Sequence, residues 1–123
     1  ADYGVDMYAD VLFTTDNLIE TNPSLVERFV RSTINGWSYA LENESEAVNY
    51  ILKYATSSNR DHESLMLRSS APLIHTGTAN LGSMDDIGWG KSQKMLNEQK
   101  LLEKQVDFED LYTMRFINLI YNK

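Results

Sequence analysis

Residues 3–15 read Tyr-Gly-Val-Asp-Met-Tyr-Ala-Asp-Val-Leu-Phe-Thr-Thr, and they carry the only clear strand signal in the chain. The run Val11–Phe13 is apolar without alternation, which is typical of a strand that helices cover on both faces. A single strand cannot satisfy its own ladder hydrogen bonds, and even an isolated hairpin is marginal in water. The sequence therefore predicts that a strand at Val11–Thr14 pairs with residues outside this chain, within a larger α/β protein.

Length, charge and composition narrow the class of protein. The chain has 123 residues, enough for one domain with a single core, and 42% of them are hydrophobic. A net charge of -7 argues against nucleic acid as a partner, because phosphates need a basic face. Cysteine is absent, which excludes disulfides and cysteine-ligated metals, and no apolar run reaches the roughly 20 residues of a membrane span.

After Thr15 the chain predicts helices, so the expected fold class of this piece is mostly α: one N-terminal β-strand region and then about five helices. The clearest helix begins at Asn22-Pro23, because asparagine caps free amides and proline at the first position loses no bond. Its apolar residues keep the spacing of one buried stripe: Val26, Phe29, Val30, Thr33, Trp37, Ala40 and Leu41. Gly36 inside this helix predicts close packing against another element.

The later helices are predicted from caps and breakers. Their starts are expected near Ser45, Asn59, Met84 and Asp107. Pro72 is expected to kink or end the third of the longer helices, followed by buried Leu73 and Ile74. The small, polar, glycine-bearing stretch His75–Ser83 predicts a loop.

Catalytic motifs are missing, and the residues favour binding instead. His62 and His75 lack the spacing of a metal pair on one helix, and no nucleophile elbow, P-loop or dinucleotide fingerprint occurs. Tyr3, Asp6, Tyr8 and Asp10 are the predicted ligand-binding residues, because aromatic faces with a few acceptors suit a flat, nitrogen-rich molecule or a cation. The alternative interpretation is that they only supply turn and edge polarity. Trp37 and Trp89 lie on helical stripes and are expected in the core.

Several motifs together resemble those of a known family. The stretch at residues 3–15 resembles a segment of solute-binding proteins related to thiamine-pyrimidine-precursor synthase, a group akin to sulfonate, nitrate and taurine binding proteins. The other matching segments follow in the family's order: Asn22-Pro23 with Val26 and Phe29, Gly36–Leu41, Glu46–Val48, Leu81–Asp85 with Trp89, and Glu98–Leu102. The resemblance implies a type II periplasmic-binding-protein fold of two α/β lobes around a cleft. Residues 1–123 would be the C-terminal portion of such a solute-binding domain, without its N-terminal lobe.

The resemblance also implies a function. The expected protein is the substrate-binding component of an ABC importer, which closes its lobes on a thiamine or pyrimidine precursor, a related heterocycle or a sulfonate. Its expected partners are this small molecule, the membrane permease and the absent N-terminal lobe, with no cofactor. The expected location is periplasmic or extracytoplasmic, with lipid anchoring through the absent N-terminus as one option.

Three alternatives remain open at this stage. One is an extracytoplasmic ligand-sensing domain of a signalling kinase or cyclase. Another is an enzyme like the pyrimidine-precursor synthase, whose functional residues would lie outside this chain. The third is a free-standing helical interaction domain, which requires that Val11–Thr14 is not a sheet strand.

Overall fold

A computed structural model describes residues 7, 8 and 10–122. Seven helices occur in this part of the chain: α1 Asp16–Thr21, α2 Pro23–Glu42, α3 Glu44–Tyr54, α4 Arg60–Ile74, α5 Asp86–Glu98, α6 Phe108–Leu111 and α7 Arg115–Tyr121. They fall into two compact units, one of residues 1–23 with 83–123 and the other of residues 24–82. None of the helices in the described ranges is both long and apolar enough to cross a membrane.

Local side-chain capping explains three of the seven helix starts in the described residues. The Thr15 hydroxyl accepts a hydrogen bond from the Leu18 amide at 3.2 Å, and the Asn59 side chain accepts one from the His62 amide at 2.9 Å. Asp85 does the same for the Gly88 amide at 2.8 Å. Each cap satisfies an amide that the first turn leaves without an intrahelical partner. The predicted starts at Pro23 and near Ser45 are confirmed as well.

The predicted strand at Val11–Thr14 is not shown by the structure, in which these residues adopt no strand. The physical reason is that the described residues offer no second strand to complete a ladder. The predicted number of helices, about five, is too low. The last predicted helix is divided at Tyr112, whose extended backbone (φ -149°, ψ 163°) separates α6 from α7.

The unit of residues 24–82 is built from α2, α3 and α4. Helices α3 and α4 pack against each other, and an ion pair of 2.8 Å joins Arg68 to Glu44. Val48 is fully buried, and four other side chains complete the core: Val26, Ile34, Ala47 and Leu67.

Several burial predictions in this unit are wrong. Leu73 is exposed, and Ile74 is only partly buried. Pro72 does not end the helix at once, since α4 continues to Ile74. Phe29 and Trp37, predicted on the buried stripe of α2, are 61% and 43% exposed. Nothing described lies within 4 Å of a Cβ placed on Gly36, so the predicted close packing is not made within the described chain.

The other unit, of residues 1–23 and 83–123, has its core on α5 and α7. Phe116 and Ile117 are buried apolar residues, and Ser92 and Gln93 are buried polar ones. The Gln93 side chain bonds both backbone groups of Val106, so the connection between α5 and α6 is fixed to α5. This unit also holds Tyr8 and the start of α5.

Candidate functional site

Tyr8 is fixed at the N-terminus of α5 by the backbone and side chain of Asp85. The Asp85 amide donates to the Tyr8 oxygen at 3.0 Å, and the Tyr8 hydroxyl points to Asp85 Oδ1 at 3.5 Å. The two residues are 77 positions apart in the sequence. The N-terminal segment and α5 therefore meet within one compact unit.

Gly88 leaves the space that Tyr8 occupies. A Cβ at position 88 would lie 2.7 Å from Cε2, Cζ and the hydroxyl oxygen of Tyr8, closer than real Cβ atoms come to other atoms. The Gly88 amide is at the same time the group that the Asp85 cap satisfies, at 2.8 Å. One short segment thus caps the helix and receives the tyrosine ring.

Three aromatic rings form a contiguous cluster, which we call the aromatic cluster: Tyr8, Trp89 and Tyr112. The Tyr8 and Trp89 ring centroids are 5.3 Å apart with an interplanar angle of 54°, and those of Trp89 and Tyr112 are 6.0 Å apart at 26°. These are the tilted and offset geometries that aromatic pairs prefer. Trp89 thus pairs with both tyrosines, and the side chains of Tyr8 and Tyr112 are only partly buried.

Two carboxylates border the aromatic cluster. Tyr112 donates to Asp86 Oδ1 at 2.8 Å, and Asp85 lies beside Tyr8. The hydrogen bond to Asp86, followed by desolvation and the charges of Asp86 and Asp85, raises the pKa of Tyr112 to about 12. Tyr112 therefore stays protonated and keeps donating to Asp86 throughout the physiological range.

Trp89 carries a donor that the described residues do not use. Its Nε1 atom is buried and has no hydrogen-bond partner among them. A buried donor without an acceptor costs about 1–3 kcal/mol, and such a group in a native structure calls for an explanation. The aromatic cluster thus combines ring faces, carboxylate acceptors and one unused N–H.

We expect replacement of Gly88 by alanine to displace the Tyr8 ring while leaving α5 folded. The atoms nearest the new methyl group are the far end of the Tyr8 side chain, which can rotate away, and alanine itself favours a helix. The measurement is the set of NOEs between the Tyr8 and Trp89 rings, which should be lost.

The matched control for this change is Gly90→Ala on the same helix. A Cβ there would meet only Phe108 Cζ at 3.7 Å, an ordinary contact, so the NOEs should persist. Retention of the Tyr8–Trp89 NOEs in the Gly88→Ala protein would contradict the assigned geometry.

We expect the raised pKa of Tyr112 to depend on Asp86. Because the folded pKa of about 12 lies above the ordinary value of 10.0, the stabilising contribution is complete below pH 10. It is lost as the pH rises through about 12. NMR titration of the tyrosine ring carbons should show the pKa of Tyr112 falling toward 10.0 in Asp86→Asn, and an unchanged pKa would contradict the hydrogen bond. Asp110→Asn, an exposed carboxylate of α6, is the control and should leave the titration as it is.

The predicted ligand residues are only partly gathered at this site. Tyr8 is half-buried against α5, and Asp10 is exposed at a bend. Tyr3 and Asp6 lie outside the described residues. His75 follows the end of α4 and is exposed.

Three members of the site were not predicted from the sequence: Asp85, Asp86 and Tyr112. A local signal existed for Asp85, since an aspartate three residues before Gly88 has the spacing of a helix cap. Tyr112 offered no such signal, because its contact with Trp89 bridges separate helical segments. Within the described residues no cluster of three or more His, Cys, Asp or Glu side chains could hold a metal ion.

Comparison with known proteins gives this site a context. Residues 1–47 match the family model described as NMT1/THI5 like. The riboflavin-binding protein RibY of Chloroflexus aurantiacus is 27% identical over 118 residues, which cover 91% of this chain and 34% of that protein. The formylaminopyrimidine-binding protein of Halalkalibacterium halodurans is 25% identical over 117 residues, which cover 91% of this chain and 36% of that protein.

The chain spans about a third of the length of these curated relatives, both of which are named as binding proteins. The family match lies at the end of the chain that carries the Tyr8 segment. The resemblance of this chain to the solute-binding proteins of the NMT1/THI5-like family, inferred above from its motifs, is thereby confirmed.

Proposed function

We propose that this chain is part of the solute-binding component of an ABC importer, located outside the cytoplasm, and that its solute is a flat nitrogen heterocycle. The observation that carries the proposal is the aromatic cluster at the start of α5, into which the N-terminal segment delivers Tyr8. A rigidly held tyrosine ring offers a face for stacking, and nearby carboxylates accept hydrogen bonds from ring or exocyclic N–H groups.

The charge of the site favours one class among the solutes considered. The side chains that bond the two tyrosines of the aromatic cluster are Asp85 and Asp86, both carboxylates. Anionic solutes such as sulfonates would be repelled by them, whereas neutral or cationic heterocycles would not. The two relatives are named for riboflavin and a formylaminopyrimidine, and both of these contain planar nitrogen heterocycles.

Transport by this component would use lobe closure. A solute that contacts both lobes binds the closed form more tightly than the open form and shifts the population toward it. The permease would then recognise the closed form. In this scheme Tyr8 binds and orients the solute, and no covalent step is required.

The test is a thermal-shift titration of the full-length protein with riboflavin, formylaminopyrimidine, thiamine, hydroxymethylpyrimidine and taurine. A heterocycle should raise Tm and taurine should not. Tyr8→Ala should weaken the binding of that heterocycle about tenfold or more, the equivalent of about 1.4 kcal/mol of lost stacking and contact.

Tyr54→Ala is the matched control, because Tyr54 is a largely exposed tyrosine of α3 far along the sequence from the cluster. It should bind the heterocycle like the unmodified protein. A Tm rise with taurine alone, no rise with any heterocycle, or equal losses in the Tyr8 and Tyr54 variants would each refute the proposal.

A further inference from the structure

Part of the apolar stripe of helix α2, which was predicted to be buried, is exposed to solvent. The stripe buries Val26, but Phe29 and Trp37 on the same helical spacing are 61% and 43% exposed. Met66 of α4 is 50% exposed. Single exposed apolar residues are ordinary on a protein surface, but contiguous apolar patches mark sites of contact.

Trp37 and Met66 border a groove along α2, α3 and α4, with a volume of about 610 Å³. We call its surface the α2–α4 face and define it by the lining residues Gly36, Trp37, Ala40, Ile51 and Met66. Buried Leu67 also lines the groove. All of these residues lie in the unit of residues 24–82.

Four polar side chains that line the groove already have hydrogen-bond partners within this unit: Thr33, Tyr39, Tyr50 and Glu63. The hydroxyls of Tyr39 and Tyr50, which both line it, donate to the two carboxylate oxygens of Glu46 at 2.6 and 3.2 Å. A pocket for a small polar solute needs a few polar groups free to fix its orientation. The α2–α4 face therefore fits an apolar polypeptide surface better than a small solute.

Gly36 adds a second, independent observation. A glycine within a helix costs about 1 kcal/mol relative to alanine, and it has a purpose where another backbone approaches closely. Here a Cβ at position 36 would meet nothing within 4 Å in the described structure. Neither a turn nor a contact within the described residues requires a glycine at position 36. Gly36 is nevertheless one of the residues that line the apolar groove.

We propose that the α2–α4 face is the docking surface for the part of the full-length protein that lies outside residues 1–123, and that the backbone of that part approaches most closely at Gly36. The relatives supply the argument for this occupant, because the chain covers only 34% and 36% of their lengths. About two thirds of such a protein lies outside this chain, which is enough polypeptide to cover the face. Being covalently linked, it would reach the face at a high effective concentration that a separate partner lacks.

The first test is the effect of Gly36→Ala on Tm of the full-length protein. If another backbone lies against Gly36, the added methyl group clashes and Tm falls by about 3 °C or more. If the face is open to solvent, alanine strengthens the helix and Tm rises, which would overturn the proposal. Ser32→Ala, an exposed position of the same helix, is the matched control and should not lower Tm in either case.

The second test is hydroxyl-radical footprinting of the same full-length protein, read by mass spectrometry at Trp37 and Met66. We expect both side chains to be labelled at least fivefold more slowly in the native protein than in urea, without added solute and at every protein concentration. Labelling as fast as in urea would overturn the proposal. Protection that appears only at high protein concentration, or only with an added solute, would also overturn it by assigning the face to a second copy or to a ligand.

Discussion

Replacing Gln93 by leucine should lower the free energy of unfolding by about 1–3 kcal/mol, because two part-buried hydrogen bonds would lose their partner at once. The Gln93 Nε2 donates to the Val106 carbonyl and its Oε1 accepts from the Val106 amide, each at 2.8 Å. Leucine fills a similar volume but leaves both Val106 backbone groups unpaired beside a buried side chain. Urea denaturation followed by circular dichroism measures the loss.

The isosteric variant Gln93→Glu separates hydrogen bonding from size. Its carboxylate can still accept from the Val106 amide, but when ionised it opposes the Val106 carbonyl instead of donating to it. Burial and this repulsion should raise the pKa of the glutamate in the folded protein above the ordinary value of about 4.3.

The sign of the resulting pH dependence follows from proton binding. Between the unfolded and the raised folded pKa, the folded variant binds more protons than the unfolded one. The contribution of this glutamate to the stability of the folded variant is therefore fully present below about pH 4.3, and it is lost as the pH rises through the folded pKa. The deficit of Gln93→Glu relative to the unmodified protein should be larger at pH 7 than at pH 4, and an equal deficit would contradict the assigned hydrogen bonds.

Replacing Phe116 by alanine should cost about 3–5 kcal/mol, the range for truncating a buried phenylalanine. Phe116 is 5% exposed, and its neighbour Ile117 is the other buried apolar residue among those described in this unit. The loss combines transfer of the ring to water with the cavity left behind, since a helix as short as Arg115–Tyr121 can close that cavity only in part. Chemical denaturation again gives the magnitude.

Leu119→Ala on the same helix is the control for this prediction. Leu119 is 50% exposed, so its truncation should cost well under half as much as that of Phe116. Equal losses at positions 116 and 119 would show that α7 does not bury the face that the structure assigns to it.

The helix starts were predictable because their determinants are local. Thr15 and Asn59 each cap an amide three residues ahead, and Asn22-Pro23 precedes α2 directly. Such short-range chemistry is visible in any window of a few residues. The split at Tyr112 was not visible, because its extended backbone places a side chain that contacts Trp89 and Asp86 on another helix.

The candidate site was likewise predictable only in part from the sequence. The aromatic and acidic composition of the N-terminal segment predicted Tyr8 as a binding residue, but no sequence pattern predicted a site at the start of α5. That these two segments meet was not predictable from spacing, since Tyr8 and Asp85 are 77 residues apart. The space at Gly88 that permits the meeting is a property of packing alone.

The helical character of the chain, its main caps, its acidic charge and its resemblance to solute-binding proteins can all be read from the sequence, because they depend on local pattern and composition. The absence of a strand at Val11–Thr14 in this chain and the exposure of Phe29 and Trp37 became evident from the three-dimensional packing. Strand pairing and burial both require a second surface. A periodic apolar stripe indicates which residues favour burial. Which of them are buried depends on the polypeptide that packs against the stripe.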